Sequence, residues 1–363
     1  MAEADFLVTG RPRFTIDGTA SDLLERTCFR LEVAETDQGL ATLEAVFLNL
    51  DHPHPGEAVD FLHFDGRSID LGRSIEISFT MSENPISIFK GFVMAIGGAF
   101  PEAREPELII HAEDGLARAR IRRRTRLFER SNDADIIGEV ATETSWIPDN
   151  GIAGPAHIQH WQVNQSDLAL MRERAAAADA ILRLDDRDLI VAARDSFVAP
   201  PIAMSSYNEL IRFTVMADLA HQRTAVHVHG WDVAQKEAIH ESAGADIAQQ
   251  VGDGTQGRTG PELLGQLWPD AAEDVHDAMP ATPEEARSLA ESRMKARARQ
   301  FVRGRGVANG NPELRVGRRV ELVELGPLFS GTYQLTAVRH VFDMVQGYRT
   351  HFEASRAMLG IPA

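Results

Sequence analysis

Apolar and polar residues alternate with period two over much of residues 11–112. Two such runs are Phe29, Leu31 and Val33, and Ile75, Ile77 and Phe79. Successive side chains of a strand point to opposite faces of a sheet, so this alternation indicates strands with one buried face. The pattern predicts a half-buried antiparallel sheet or barrel in this part of the chain.

The spacing of apolar residues becomes helical from about residue 134. A short helix is predicted to follow Asn132 and Asp133, which serve as its cap, and a second helix is predicted to begin with Ser166 as N-cap. Residues 181–191 hold two apolar runs around a polar turn, which is typical of a β-hairpin. The pattern therefore predicts helices followed by a hairpin.

Strands are predicted again at residues 212–215 and 225–231, before a largely helical segment over residues 234–300. Its last helix has the strongest signals, with Thr282 as N-cap, Pro283 at the first helical position and Glu285 completing a capping box. From residue 301 to the end, period-two alternation returns and predicts a closing antiparallel meander. The fold class is therefore mainly β, of the α+β type.

Charge and composition narrow the possible functions. The chain has 37 Lys and Arg against 54 Asp and Glu, a formal net charge of -17, which argues against general binding to nucleic acid or an anionic membrane. Cys28 is the single cysteine, so no intrachain disulfide can form. The N-terminus has no signal-peptide pattern, and no apolar run approaches the ~18 residues of a membrane span. We expect assembly in the cytoplasm.

A strict period-two series of five arginines is the most unusual local feature. Its members are Arg118, Arg120, Arg122, Arg124 and Arg126. In a strand they would form a basic stripe on one face, and five adjacent like charges need an acidic partner. The series predicts an assembly contact or intrachain ion pairs, with polyanion contact as the alternative; a helix would align only the first, third and fifth members.

The candidate motifs for chemistry are weak. Residues 252–257 match G-x-G-x-x-G, but the preceding residues look helical, whereas a dinucleotide site needs a strand there. His227 and His229 share a strand face and could bind zinc with His240, although nothing in the sequence places the third histidine beside them, so a polar strand face is favoured. We therefore expect no catalytic, cofactor or metal site.

Several segments together resemble one family, the phage late control protein D and related hub proteins of contractile-tail baseplates. The segments are residues 165–175 (QSDLALMRERA), residues 226–232 (VHVHGWD) with Lys236, and residues 301–306, 311–317, 329–333, 338–340 and 347–350. They span nearly the whole chain, and their order and spacing are more specific than any segment alone. The hub part of the VgrG spike of type VI secretion is similar.

The resemblance implies a homotrimeric ring in which each chain contributes two antiparallel β-barrels similar to the tube protein. Such a ring has three-fold symmetry for a spike and pseudo-six-fold symmetry for a hexameric inner tube, and it acts as a symmetry adapter. The implied partners are the inner tube protein, a spike protein and other baseplate subunits. The particle would be a phage tail-like assembly, without membrane or specific nucleic-acid partners.

The resemblance also suggests a division of the chain. Residues 1–115 would form the first barrel, completed by residues 202–233, and residues 116–201 the helix-plus-hairpin part of the second barrel. Residues 234–300 would be a helical insertion and residues 301–363 the closing strands of the second barrel. VgrG chains continue into a needle, whereas this sequence ends at Ala363, so a separate spike polypeptide is expected.

Two other functions stay open from the residues alone. A baseplate-associated cell-wall hydrolase would need a defined pair of carboxylates, and the many acidic residues single out no such pair. A polyanion-binding protein would rest on the arginine series, and its binding would weaken with salt.

Overall fold

The computed structural model describes residues 10–50, 61–81, 83–197, 199–251 and 257–361. The protein is mainly β, with 48% of the described residues in strands and 22% in helices, which confirms the predicted fold class. Its strands form one large sheet of thirteen strands and four small sheets of two or three strands. None of the helices in the described ranges is long and apolar enough to cross a membrane.

The elements follow one another in four stretches of the chain. The first stretch contains β1 (Arg13–Ile16), β2 (Thr19–Ala20), α1 (Asp22–Thr27), β3 (Cys28–Thr36), β4 (Thr42–Leu48), β5 (Ser74–Met81), β6 (Asn84–Ala99) and β7 (Glu107–Glu113). The second contains α2 (Ala117–Ile121), β8 (Arg123–Ser131), α3 (Asp133–Thr144), β9 (Ile147–Gly151), β10 (His157–Ser166), α4 (Asp167–Ala177), β11 (Ala180–Asp185) and β12 (Asp188–Ala193).

The remaining elements complete the large sheet and add a smaller unit. The third stretch contains β13 (Ile202–Ser205), β14 (Leu210–Ala217), β15 (Ala225–Asp232), β16 (Glu237–Gly244), α5 (Ala245–Gln250), β17 (Arg258–Thr259), α6 (Gly260–Leu267), β18 (Glu273–Val275) and α7 (Pro283–Arg299). The last contains β19 (Val302–Asn309), β20 (Arg319–Val323), α8 (Gly326–Phe329), β21 (Gly331–Asp343), β22 (Gly347–Arg356) and β23 (Met358–Leu359).

The thirteen-stranded sheet joins the beginning of the chain to its end. Its order is β14-β19-β22-β21-β3-β4-β7-β6-β5-β1-β2, with β20 on β21 and β13 on β20. The junction is the antiparallel pair of β3 and β21, in which Val33 lies opposite His340. None of the sheets formed by the described residues closes on itself, so the two closed barrels are not confirmed.

The alternating segments of the first stretch form the expected strands. Leu31 and Val33 of β3 and Ile75 and Ile77 of β5 are buried in one hydrophobic core, while Arg30 is exposed. A second core gathers the apolar faces of the closing strands, including Leu335 of β21. The predicted period-two face is confirmed in β5. In β3 the alternation holds from Leu31 onward, because a register shift after Cys28 leaves Phe29 outside the core.

The predicted helices and hairpin of the second stretch are also present. The Asn132 side chain caps α3 in a capping box with Asp135, and Ser166 caps α4 by accepting from Ala169 N. β11 and β12 form the predicted hairpin, with Leu182 opposite Val191. β8 and β10 form a separate two-stranded antiparallel ribbon, and its second strand was not predicted.

The segment before the closing strands is a small α/β unit. Besides three helices it contains β16 and β18, which the sequence pattern did not predict, and these strands flank β15. The Thr282 side chain caps α7 as predicted, accepting from Glu285 N at 3.2 Å. The reciprocal half of the predicted capping box is wrong, because the Glu285 carboxylate accepts from Ala281 N at 2.8 Å instead.

Candidate assembly surface

The arginine series does not form one strand face. Arg118 and Arg120 lie on the short helix α2, Arg122 ends that helix, and Arg124 and Arg126 lie on β8. The predicted five-residue stripe is therefore wrong. The chain bends between β7 and β8, so the alternation crosses two different elements.

Asp114 initiates this bend. One of its carboxylate oxygens accepts from Leu116 N at 2.9 Å and the other from Ala41 N at 2.8 Å, so the side chain satisfies amides at the start of α2 and on the facing segment. Burial raises the pKa of Asp114 to about 7. Ala117 and Ala119 turn inward from the helix and are buried, which leaves the intervening arginines at the surface.

Arg124 and Arg126 belong to an internal ionic cluster. Both guanidinium groups contact the buried carboxylate of Asp167, at 3.2 and 3.4 Å, and both contact Glu143 of α3. Arg126 also pairs with Glu139 at 3.2 Å. Each of the two arginine side chains is only 16% exposed, so these charges hold α3 and α4 against the ribbon.

Arg118, Arg120 and Arg122 are exposed. Arg120 makes two hydrogen bonds to the Glu113 carboxylate, at 2.8 and 2.6 Å. The prediction of intrachain ion pairs is thus confirmed for Arg120, Arg124 and Arg126, and a partner could reach only the first three members of the series. This division weakens the polyanion interpretation, since the accessible positive charge is smaller than the sequence suggested.

The outward face of the β8–β10 ribbon carries an apolar surface beside these arginines. We call it the ribbon surface and define it by Arg123, Thr125, Leu127, Trp161 and Val163. Trp161 lies opposite Leu127, and the side chains of Trp161 and Val163 are 56% and 65% exposed. Exposed Trp and Arg together are typical of residues that contribute most to protein–protein binding.

The sequence contained a signal for this surface that the predictions missed. Trp161 and Val163 flank Gln162 with the alternation of a strand, but the apolar members face outward and the glutamine is buried. The inward polar face exists because Gln162 bonds Arg126 at 2.8 Å and Asp167 at 3.0 Å. The sequence alone does not show that Gln162 has these buried partners, so the segment resembles an irregular polar connection.

A second exposed apolar group lies at the end of β6. Phe61, Phe64 and Phe100 form the aromatic cluster, with ring centroids 5.3, 5.8 and 6.3 Å apart. Their exposures are 40%, 37% and 67%. Three phenylalanines that pack on one another yet stay in contact with water indicate a surface that a partner can cover.

His157 connects the ribbon to the neighbouring units. Its ring nitrogens lie 2.9 Å from Asp133 of α3 and 3.0 Å from Glu285 of α7. The hydrogen bonds to Asp133 and then Glu285 outweigh burial and raise the pKa of His157 to about 9. Burial alone would raise the pKa of Asp133, but His157 and Arg174 hold it below its usual range.

This contact predicts a pH-dependent stability. The folded pKa of His157 is raised, so its contribution is complete below the ordinary value near 6.5 and is lost as pH rises through about 9. We expect the free energy of unfolding to fall by up to about 3 kcal/mol from pH 6.5 to 9.5. It is measured by denaturant unfolding, with EDTA present to keep the solution free of metal ions. His157→Gln should remove most of this slope and the exposed control His111→Gln should keep it. Equal slopes in both variants would contradict the prediction.

The glycine-rich segment is only partly described. Residues 252–256 lie outside the described ranges, and the residues immediately before them form helix α5 rather than a strand. The predicted helical context is therefore confirmed, and it is not the strand that a dinucleotide turn requires.

Solved structures of phage tail and type VI secretion proteins share this fold. A 43 kDa tail protein of Shewanella oneidensis prophage MuSo2 is 9% identical with a TM-score of 0.67, over 96% of this chain and 99% of that one. A Neisseria meningitidis tail protein is 12% identical with a TM-score of 0.65, over 95% and 96%. An Escherichia coli type VI component, described as similar to the T4 tail proteins gp27 and gp5, is 12% identical with a TM-score of 0.57, over 96% and 79%.

These likenesses establish a tail-protein fold, as the resemblance of the sequence predicted. Comparison with curated protein sequences gives no match. A family model described as the Alg8 N-terminal domain matches residues 57–343, which is more than half of the 363 residues. The chain therefore belongs to the Alg8 N-terminal domain family.

Proposed function

We propose that the protein is the structural hub of a contractile tail or injection-system baseplate, of the late control protein D type. In this role three chains form a ring, each supplies two tube-like barrels, and the ring joins a hexameric inner tube to a trimeric spike. The observation that carries the proposal is the tail-protein fold, which extends over nearly the whole chain. The spike, the inner tube and other baseplate subunits are the proposed partners, within a tail-like particle.

A ring of this kind needs two different contact surfaces on each chain. In a closed heterologous interface, one surface of a subunit binds a different surface of its neighbour, and the ring limits its own size. The ribbon surface and the aromatic cluster are two separate exposed apolar surfaces, which supports the proposal. We assign them to the two sides of the subunit contact, bordered on the ribbon side by Arg118, Arg120 and Arg122.

The proposed activity is mechanical rather than catalytic. The carboxylates of the internal ionic cluster are paired with Arg124 and Arg126, and those around His157 hold elements together. Both groups have structural partners that explain their positions. We therefore propose that the chain acts through its interfaces, and a cell-wall hydrolase is the less favoured function.

The mass of the purified protein tests the proposal. At about 10 μM we expect light scattering after size exclusion to give three times the mass of one chain, since obligate interfaces commonly bury over ~2,000 Å². Added spike protein and inner tube protein should each co-elute with the ring. A stable monomer that binds neither of them would overturn the hub function.

A further inference from the structure

The small sheet of β16, β15 and β18 has two different faces. Val226 and Val228 of β15 are fully buried, in a core with Ile239 and the inward side of α7. The residues that alternate with these valines point to the opposite face, and they include His227 and His229. Helix α7 covers only the apolar side, so the polar side is accessible to solvent.

The strand register brings these histidines together. His229 lies opposite His240 in the antiparallel pair of β15 and β16. His227 lies opposite Asp274 in the parallel pair of β15 and β18, and the same register continued by two residues places His276 beside His229. The ring centroids of His229 lie 4.7 Å from His240 and 4.4 Å from His276. The sequence could not place His240 or His276, because both positions depend on pairing with strands that were not predicted.

The donor atoms are close enough to share one ion. The carboxylate of Asp274 lies 3.0 Å from His229 Nε2, and one ligand atom from each of His229, Asp274 and His276 lies within 4.8 Å of the others. Two donor atoms that bind one tetrahedral zinc ion at ~2.0–2.1 Å lie about 3.3 Å apart, so the 3.0 Å between His229 Nε2 and the Asp274 carboxylate is already near this spacing. The other nitrogen of the same ring, His229 Nδ1, lies 3.3 Å from His240 Nδ1, so His240 fixes the orientation of the ring from its other side.

His227 provides a further donor on the same face. Its ring centroid is 5.7 Å from that of His240, and its Nδ1 is buried with no hydrogen-bond partner among the described residues. This end of the histidine face is therefore partly buried rather than fully solvated.

We propose that His229, His276 and Asp274 form a binding site for a divalent transition-metal ion of the zinc type. Imidazole nitrogens with one carboxylate favour Zn²⁺, Co²⁺, Ni²⁺ or Cu²⁺ over Mg²⁺ and Ca²⁺, which prefer oxygen ligands. The ion would connect β15 and β18 on the side that α7 leaves open. The site is independent of the hub function, since it uses neither the ribbon surface nor the aromatic cluster.

Titration with zinc chloride tests the site in the full chain. After EDTA treatment and dialysis, calorimetry should give one Zn²⁺ per chain with a Kd in the micromolar range or below, and Zn²⁺ should raise the melting temperature. Co²⁺ should give the visible absorption of a four-coordinate site, whereas Mg²⁺ and Ca²⁺ should compete poorly.

Matched variants distinguish this site from nonspecific binding. His229→Ala with His276→Ala should weaken Zn²⁺ binding by at least about 100-fold, while His221→Ala, an exposed histidine outside the cluster, should leave it unchanged. Circular dichroism establishes that each variant is folded, and His229→Gln serves if the double variant is not. Stoichiometric zinc binding that survives loss of His229, or no binding by the wild type, would overturn the proposal.

Discussion

Trp161→Asp is expected to convert the proposed ring into folded monomers. The indole is 56% exposed in the single chain, so the substitution removes little from the chain's own core. In an assembled contact, loss of a central Trp commonly costs over ~2 kcal/mol, and a carboxylate placed there must also lose its water. Two kcal/mol weakens each contact about 30-fold. Light scattering at about 10 μM should therefore show the mass of one chain, with an unchanged melting temperature for the monomer.

Phe100→Asp should produce the same monomers, because it changes the proposed opposite side of the contact. Mixing the two variants tests whether the ribbon surface of one chain binds the aromatic cluster of the other. The ribbon surface of the Phe100→Asp chain is intact, as is the aromatic cluster of the Trp161→Asp chain, so one contact can form. The mixture should contain dimers and no closed ring.

Trp268→Asp is the matched control. Trp268 is 64% exposed and follows α6, outside both surfaces, so this variant should remain trimeric. A trimeric Trp161→Asp protein would contradict the assignment of the ribbon surface. A trimeric Phe100→Asp protein would show that the aromatic cluster faces another partner, such as the tube.

Local patterns in the sequence were sufficient to predict many single elements. The caps at Asn132 and Ser166 and the hairpin of β11 and β12 depend on residues within a few positions of one another. The alternation in β3 indicates which side of that strand is buried. It does not indicate that β3 pairs with β21, because two strands about 300 residues apart carry no shared sequence pattern that identifies them as partners.

The arginine series shows how a correct period can predict the wrong element. Helix α2 is five residues long, which is too short for a 3.6-residue period to become visible. Its buried residues Ala117 and Ala119 are two apart, as in a strand. The acidic partners were partly predictable, since Glu139 and Glu143 are four apart and share a face of α3. Their position opposite β8 depends on tertiary packing.

Glu35→Ala is expected to destabilise the fold by about 3–5 kcal/mol, the cost of leaving one partner of a buried ion pair alone. Glu35 of β3 is 5% exposed and accepts from Arg315 Nε at 2.9 Å and from Val316 N at 2.8 Å. The contact joins the core that contains β3 to the core that contains Val316. Burial would raise the pKa of Glu35, but the charge of Arg315 lowers it, so the carboxylate is ionised when it makes this contact.

Two comparisons separate this ion pair from an ordinary surface contact. Glu44→Ala removes a carboxylate from the adjacent strand β4, where Glu44 and its partner Arg30 are 41% and 56% exposed, and should cost at most ~1 kcal/mol. Replacing both Glu35 and Arg315 by Met should recover most of the stability lost in Glu35→Ala, because no unpaired charge then remains buried. Chemical denaturation measures all three variants. A loss below ~1 kcal/mol in Glu35→Ala would mean that water reaches Arg315, and that apolar packing rather than this ion pair connects the two cores.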